Sequence, residues 1–148
     1  MIYELLMSLR ANLSQTDITL YAGASEQLIY QFEREMNLIL PADFKAFYLF
    51  CNGFESEDDM FRMIPLEEIL ERKQELPSHQ FYVAEYLIYC DMWEVELSDQ
   101  MSGKYRIHNM NITLTDSIVE FLNRFLQGGV FEAGGLYDWR QEAIRSKS

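Results

Sequence analysis

The spacing of apolar residues predicts helices at both ends of the chain and strands between them. Four apolar residues recur three or four positions apart at the start: Ile2, Leu5, Leu6 and Leu9. This is the spacing of one helix face, so we predict a short amphipathic helix over 1–12. A second helix is predicted to begin after Ser25, whose hydroxyl suits a helix N-cap, and to end near Asn37.

The stretch LPADFKAFYLFCNGFE, residues 40–55, contains the start and stop signals of a third helix. Pro41 suits the first turn, because a helix needs no backbone N–H there. Apolar side chains follow at helical spacing: Phe44, Phe47, Tyr48 and Cys51. Asn52 and Gly53 tolerate the positive φ angles with which helices commonly end. We therefore predict one compact helix that acidic residues follow at once.

The centre of the chain is rich in aromatic and β-branched residues, which favours strands. Residues 14–23 are predicted to be an extended or irregular connection. The elements predicted after residue 59 are a strand at 60–64, a helix at 65–76, two strands within 81–97 that turn near Asp91, a strand near 104–109 reached through Ser102-Gly103, and a helix that Thr115 or Asp116 caps and Gly128-Gly129 ends. Leu136, Trp139 and Ile144 suit a short docked helix in the tail. Helices, then strands, then a helix indicate an α+β fold.

Composition favours one globular domain over 1–148. The chain has 148 residues, of which 49% are hydrophobic, enough for a sizeable core. Cys51 and Cys90 each lie in an apolar stretch, so we expect two buried thiols. The N-terminus lacks the basic start and apolar region of a signal peptide, and no apolar run reaches the roughly 18–20 residues that span a bilayer. These features predict a cytoplasmic protein.

Net charge limits the kinds of partner that the protein is expected to bind. The chain has 24 acidic and 12 basic residues, which gives a net charge of −12. A phosphate backbone would be repelled, so direct nucleic-acid binding is disfavoured. Two interpretations stay open at this point: ordinary solubility, or electrostatic steering of a basic protein partner.

The sequence carries no motif of a catalytic, metal or cofactor site. His79 and His108 are far apart and have no cysteine at zinc-like spacing. The run ESEDD lacks the alternating acids and glycine of a calcium loop, and neither G-x-S-x-G nor a glycine-rich phosphate loop occurs. We therefore predict no catalytic residues, no cofactor and no metal. A small hydrolase would require a deep cleft with paired carboxylates of perturbed pKa.

One segment resembles a known family. FEREMNLILPADFKAFYLFCNGFE is similar to the core motif of the SUKH superfamily, in which an acid-bearing helix leads into Leu-Pro and an aromatic helix that closes on Asn-Gly. The matching positions are Glu33, Leu40, Pro41, Phe44, Phe47, Asn52 and Gly53. The resemblance covers 25–127, and leaves the N-terminal helix at 1–12 and the tail at 128–148 as additions.

The resemblance implies both a fold and a role. The superfamily includes a yeast regulator of cell-wall assembly and glucan synthesis and many small bacterial proteins. It implies a SUKH-like single domain with an antiparallel sheet flanked by helices, and a non-enzymatic binding function. The bacterial members are commonly immunity proteins that neutralise a toxin, often a nuclease, by binding it. The alternative role is a regulatory scaffold for a cellular protein.

Three clusters are candidates for a partner-binding surface. The first follows Asn-Gly: Glu55, Glu57, Asp58 and Asp59. The second surrounds Trp93, which would anchor a partner if exposed and otherwise packs in the core: Asp91, Glu94, Glu96 and Asp99. The third is Tyr137 with Trp139. Glu33 is expected to face solvent or cap a helix, or alternatively to line a ligand groove, whereas Pro41, Asn52 and Gly53 are expected to be structural.

Overall fold

A computed structural model describes residues 1–88, 90–98 and 103–146. Over these residues the chain forms six α-helices, two short 3-10 helices and one sheet. The α-helices are α1 (Ile2–Asn12), α2 (Glu26–Met36), α3 (Ala42–Phe50), α4 (Leu66–Glu71), α5 (Ile118–Gly128) and α6 (Leu136–Ser146). The 3-10 helices are Leu13–Gln15 and Lys73–Glu75.

The sheet is an antiparallel meander of seven strands whose spatial order is their order in the chain. The strands are β1 (Ile18–Leu20), β2 (Phe54–Ser56), β3 (Phe61–Met63), β4 (Gln80–Tyr86), β5 (Asp91–Leu97), β6 (Tyr105–Asn109) and β7 (Ile112–Thr115). Every neighbouring pair is antiparallel. The predicted α+β class and the antiparallel sheet flanked by helices are confirmed.

One face of the sheet forms the core. Successive strands bring Phe54, Phe61 and Trp93 to this face, and all three are buried. Helix α5 covers them: the ring of Phe125 stacks on Phe61 at 4.2 Å between centroids, and Phe121 lies 6.2 Å from Trp93. Aromatic rings of this size contribute most of the apolar area that holds the layers together.

The opposite face of the sheet is polar. The register aligns Glu55, Arg62, Glu85 and Met92 across β2 to β5, and Tyr82, Glu94 and His108 across β4 to β6. A bulge at Val83 in β4 allows this alignment, because it shifts the following residues by one position. Acidic and basic side chains therefore gather on the face that the core does not use.

Several predicted helix boundaries are confirmed. The Ser25 hydroxyl accepts a hydrogen bond from the Leu28 N–H, and Asn37 ends α2 in the left-handed conformation with φ of 54°. Gly129 ends α5 with φ of 58°. The predicted caps of α5 are wrong: Ser117, rather than Thr115 or Asp116, accepts from the Glu120 N–H, because a strand occupies the residues up to Thr115.

The Asn-Gly pair differs from its predicted role in part. Helix α3 ends at Cys51 in an extended conformation, and only Gly53 has a positive φ, of 95°. The Asn52 side chain instead accepts from the Leu66 N–H and donates to Glu67, so it stabilises the start of α4. Asn52 is structural, as expected, but it serves the next helix.

Three short strands and one cysteine were not predicted correctly. Strands β1, β2 and β7 are three or four residues long, too short for an alternating pattern, and β2 includes Glu55 and Ser56 from the predicted acidic turn.

The turn predicted near Asp91 lies earlier, so Asp91 begins β5. Cys51 is buried as predicted, whereas Cys90 is exposed because it lies in this turn between β4 and β5.

Candidate partner-binding groove

A groove opens where the polar face of the sheet meets two hairpin turns. The turn between β2 and β3 and the turn after β4 are joined by a hydrogen bond of 2.8 Å from the Leu87 N–H to the Met60 carbonyl. The groove encloses about 540 Å³. Four carboxylates and three apolar side chains are among its lining residues: Glu55, Glu57, Glu68, Glu85, Met60, Leu87 and Ile88.

Arg62 is the central cation of this groove. Its Nη1 and Nη2 donate to the two carboxylate oxygens of Glu68 at 2.9 and 2.6 Å, and its Nε donates to Glu85 Oε1 at 3.0 Å. Burial alone lowers the pKa of the guanidinium, but the hydrogen bond to Glu68 and the charges of Glu85 and Glu68 together raise it above its ordinary value. Arg62 therefore stays charged and holds both carboxylates in place.

Glu85 is a groove residue that sequence reasoning missed. It is only 2% exposed, yet it lines the groove, and its second oxygen, Oε2, has no hydrogen-bond partner. A buried acceptor without a donor is costly, so such a group is a candidate for a ligand contact. The available signal was an acid in the apolar run FYVAEYLIY.

The rim of the groove is apolar and strained. Met60, Leu87 and Ile88 are 57%, 44% and 77% exposed. All three have positive φ, of 51°, 51° and 45°. This conformation is costly for a side-chain-bearing residue and most of all for β-branched Ile88, and such strain concentrates at functional sites.

Asp17 fixes the acidic turn beside the groove. Its Oδ2 accepts from the Ser56 hydroxyl at 2.8 Å and from the Asp58 N–H at 2.7 Å. Asp17 precedes β1, so it ties the edge of the sheet to this turn. The turn therefore presents Asp58 in a defined position.

The structure separates the four acids predicted in the first cluster. Glu55 and Glu57 line the groove, and Asp58 is exposed on the turn. Asp59 is half-buried, and its Oδ1 accepts from the Val130 N–H at 3.0 Å. Asp59 thus joins the turn to the segment after α5, so the prediction of a freely available partner contact is corrected for this residue.

The second predicted cluster does not surround an exposed tryptophan. Trp93 is fully buried between Phe61, Phe121 and Tyr137, so the partner-anchor hypothesis is wrong and the core alternative is correct. Asp91 accepts from Asn109 and from the Tyr137 hydroxyl at 2.5 Å, which makes it structural. Asp99 lies outside the described residues.

Glu94 and Glu96 of that cluster lie on the polar face, outside the groove lining. Glu96 Oε1 is 2.9 Å from His108 Nε2, and His108 Nδ1 is 2.9 Å from the Thr113 hydroxyl. Desolvation raises the pKa of Glu94, with a smaller increase from Glu96, while His108 lowers it. In the third cluster, Trp139 is buried and Tyr137 is half-buried, so neither is a free anchor.

Glu33 connects two helices rather than lining the groove. Its Oε2 accepts from the Leu40 N–H at 2.8 Å and lies 3.4 Å from Lys45 Nζ. The other motif residues support the same junction. Leu40, Pro41, Phe44 and Phe47 are buried, and a side chain at Gly53 would collide with the Met63 carbonyl.

The described residues contain neither a membrane-spanning helix nor a metal cluster. No helix there is long and apolar enough to cross a bilayer. Histidine, cysteine and carboxylate side chains of the described segments do not come together in threes as a metal site would require.

Comparison with known proteins agrees with the helix, Leu-Pro and Asn-Gly geometry just described. Residues 23–101 match the SMI1 / KNR4 family (SUKH-1). The chain belongs to this family. No curated protein sequence matches it. SMI1/KNR4 proteins are generally non-enzymatic, and the matched segment spans β2, β3, β4 and all the lining residues of the groove named above.

Proposed function

We propose that this SMI1/KNR4 protein is a bacterial immunity protein. It binds a cognate toxin domain with a basic surface, such as a nuclease, and occludes the toxin's active site. The groove and the acidic turn form the contact surface. The single observation that carries the proposal is the groove itself, which combines four carboxylates with an exposed apolar rim.

The chemistry of the groove supports binding over catalysis. An exposed apolar rim beside charged groups is typical of protein interfaces. Glu68 and Glu85 are both ion-paired with Arg62. The other two groove carboxylates, Glu55 and Glu57, are exposed to solvent, whereas a general acid or base needs a carboxylate positioned against its substrate and shielded from water.

Net charge supports a basic partner. The chain carries −12, and Glu57 and Asp58 extend the acidic character of the groove into solvent. Such a field speeds the encounter with a cationic surface and competes with the phosphate backbone for it. The second candidate role, a scaffold for a cellular protein, uses the same surface and differs in the identity of the partner.

A toxicity-rescue assay tests the proposal. The product of the neighbouring gene is expressed in a bacterial host with and without this protein. Rescue by the native chain, lost on charge reversal at Glu57→Lys and Asp58→Lys, is the expected result. Asp59 is left unchanged because it binds the Val130 N–H.

A matched control carries Glu4→Lys and Glu120→Lys, two exposed acids on α1 and α5. This control changes the net charge equally but leaves the groove intact, so it should still rescue. A neighbouring product that binds without being toxic would favour the scaffold. Equal rescue by both variants would show that the groove is not part of the interface with the toxin.

A further inference from the structure

Glu85 Oε2 has no hydrogen-bond partner, and this indicates which kind of chemical group enters the groove. We propose that one basic side chain of the partner, a lysine or arginine, inserts there and donates a hydrogen bond to Glu85 Oε2. This inference rests on the proposed function and specifies the chemistry of its central contact.

One oxygen of Glu85 is left to accept a hydrogen bond from a ligand. Glu85 Oε1 already accepts from Arg62 Nε, whereas Oε2 has no partner. Arg62 Nη1 and Nη2 both donate to Glu68, and Nη2 also lies 3.0 Å from Glu85 Oε1, so the guanidinium meets Glu85 on the Oε1 side. The acceptor is therefore fixed in direction before any partner arrives, and fixed acceptors bind donors with less loss of entropy.

The groove carries an excess of negative charge. In the described part of the chain four carboxylates line it, and Arg62 is the one cation among the lining residues. A neutral donor would satisfy Oε2 but leave this excess of negative charge uncompensated. A cationic donor satisfies Oε2 and also compensates this charge, because it forms an ion pair as well as a hydrogen bond with the carboxylate.

The shape of the groove suits a long basic side chain. Lysine and arginine carry three or four methylene groups below the charged head, and these stems prefer apolar surroundings. Met60, Leu87 and Ile88 supply such surroundings at the exposed rim, and Glu85, which is only 2% exposed, lies deeper. An apolar rim above a buried carboxylate matches the order of apolar stem and charged head in a basic side chain.

Titration with small probes, followed by NMR of backbone amides, tests the inference without the partner. The probes are the Nα-acetyl methylamides of arginine and lysine, and their neutral analogues, those of citrulline and Nε-acetyl-lysine. We expect saturable shifts at Met60, Glu85 and Leu87 with at least one cationic probe at millimolar concentration. Its neutral analogue should cause none.

A variant pair links the effect to Glu85. Glu85→Gln keeps the side-chain shape and removes the charge, so it should weaken binding of the cationic probe by about tenfold. Glu4→Gln removes the same charge from α1 and should leave binding unchanged. If Glu85→Gln fails to fold, the comparison of cationic and neutral probes on the native chain still tests the inference.

The outcomes separate this inference from the proposed function. Equal binding of cationic and neutral probes, no probe binding at all, or unchanged binding in folded Glu85→Gln would overturn the inference. If toxin rescue persists in any of these cases, the immunity role is still supported, without the proposed contact to Glu85. Cationic-probe binding in a protein that rescues no toxin would support the contact and contradict the role.

Discussion

Burial decides what individual residues of this protein can do. Cys51 and Cys90 both occur in apolar sequence, but Cys51 is buried at the C-terminal end of α3 and Cys90 lies in an exposed turn. Burial raises the pKa of the Cys51 thiol to about 12, against a backbone hydrogen bond from Gly53, which lowers it. Because the thiolate is the reactive form, the two thiols should differ sharply in reactivity.

A thiol titration at neutral pH checks this difference. With a chromogenic disulfide reagent, the native protein should react through one thiol, and the denatured protein through two. Cys90→Ser should abolish the native reaction, while Cys51→Ser should retain it. Rapid reaction of both thiols in the folded protein would contradict the burial of Cys51.

Glu94 gives a prediction about pH. Desolvation raises its pKa above the ordinary value of 4.5, so the folded state favours the protonated form. Stability from this group is present at low pH and is lost as the pH rises through the raised pKa. Glu94→Gln removes that loss, so it should stabilise the protein at pH 7 by less than about 1 kcal/mol, since the site is partly solvated.

Chemical denaturation of both proteins from pH 3.5 to pH 7 measures the effect. The difference in the free energy of unfolding should be small at the acid end, where Glu94 is protonated, and should grow as the pH rises past 4.5. A variant that is less stable than the native protein at pH 7 would show instead that attraction to His108 outweighs desolvation.

At the scale of elements, long helices with caps could be predicted from the sequence, whereas the short strands β1, β2 and β7 could not. Ser25 and Asn37 bound α2 as predicted because capping depends on residues within a few positions of each other. Strand β7 has four residues and is stabilised by pairing with β6, which is a tertiary contact. The local sequence pattern therefore gives no indication of this pairing.

The bulge in β4 explains why Glu85 was missed. Simple alternation from Phe81 would place Val83 and Glu85 on the same face, in the core. The register shift between Tyr82 and Ala84 moves Glu85 to the polar face, beside Arg62. Trp93 is the opposite case: it alternates with Val95 and Leu97, both buried, so its core position follows from period alone.

The acidic turn depends on Asp17, which gives a prediction at this scale. Asp17→Ala removes the acceptor of the Asp58 N–H, so hydrogen exchange at that amide should speed up by about tenfold. Amide exchange by NMR measures this. Asp138→Ala, which removes the acceptor of the Gly134 N–H in another loop, is the matched control and should leave Asp58 unchanged. An unchanged exchange rate at Asp58 in Asp17→Ala would show that the turn keeps its conformation without this hydrogen bond.

At the scale of the whole molecule, one face of the sheet forms the core and the other carries the proposed contact surface. The core face is aromatic and covered by helices, and the polar face carries the groove. A net charge of −12 adds a long-range attraction to cations, which salt screens over about 8–10 Å. Binding through this face should therefore weaken at high salt, whereas contact through the helical side would depend on salt much less.

Site-specific photo-crosslinking in a lysate of the native host, at low and high salt, tests the central claim most directly. A photoreactive amino acid is placed at Ile88 on the groove rim or at Tyr3 on α1, which are 77% and 70% exposed. The account predicts one basic protein crosslinked through Ile88, lost at high salt and on Glu57→Lys with Asp58→Lys, and no such product through Tyr3. The same partner captured through Tyr3 and not through Ile88 would contradict the account.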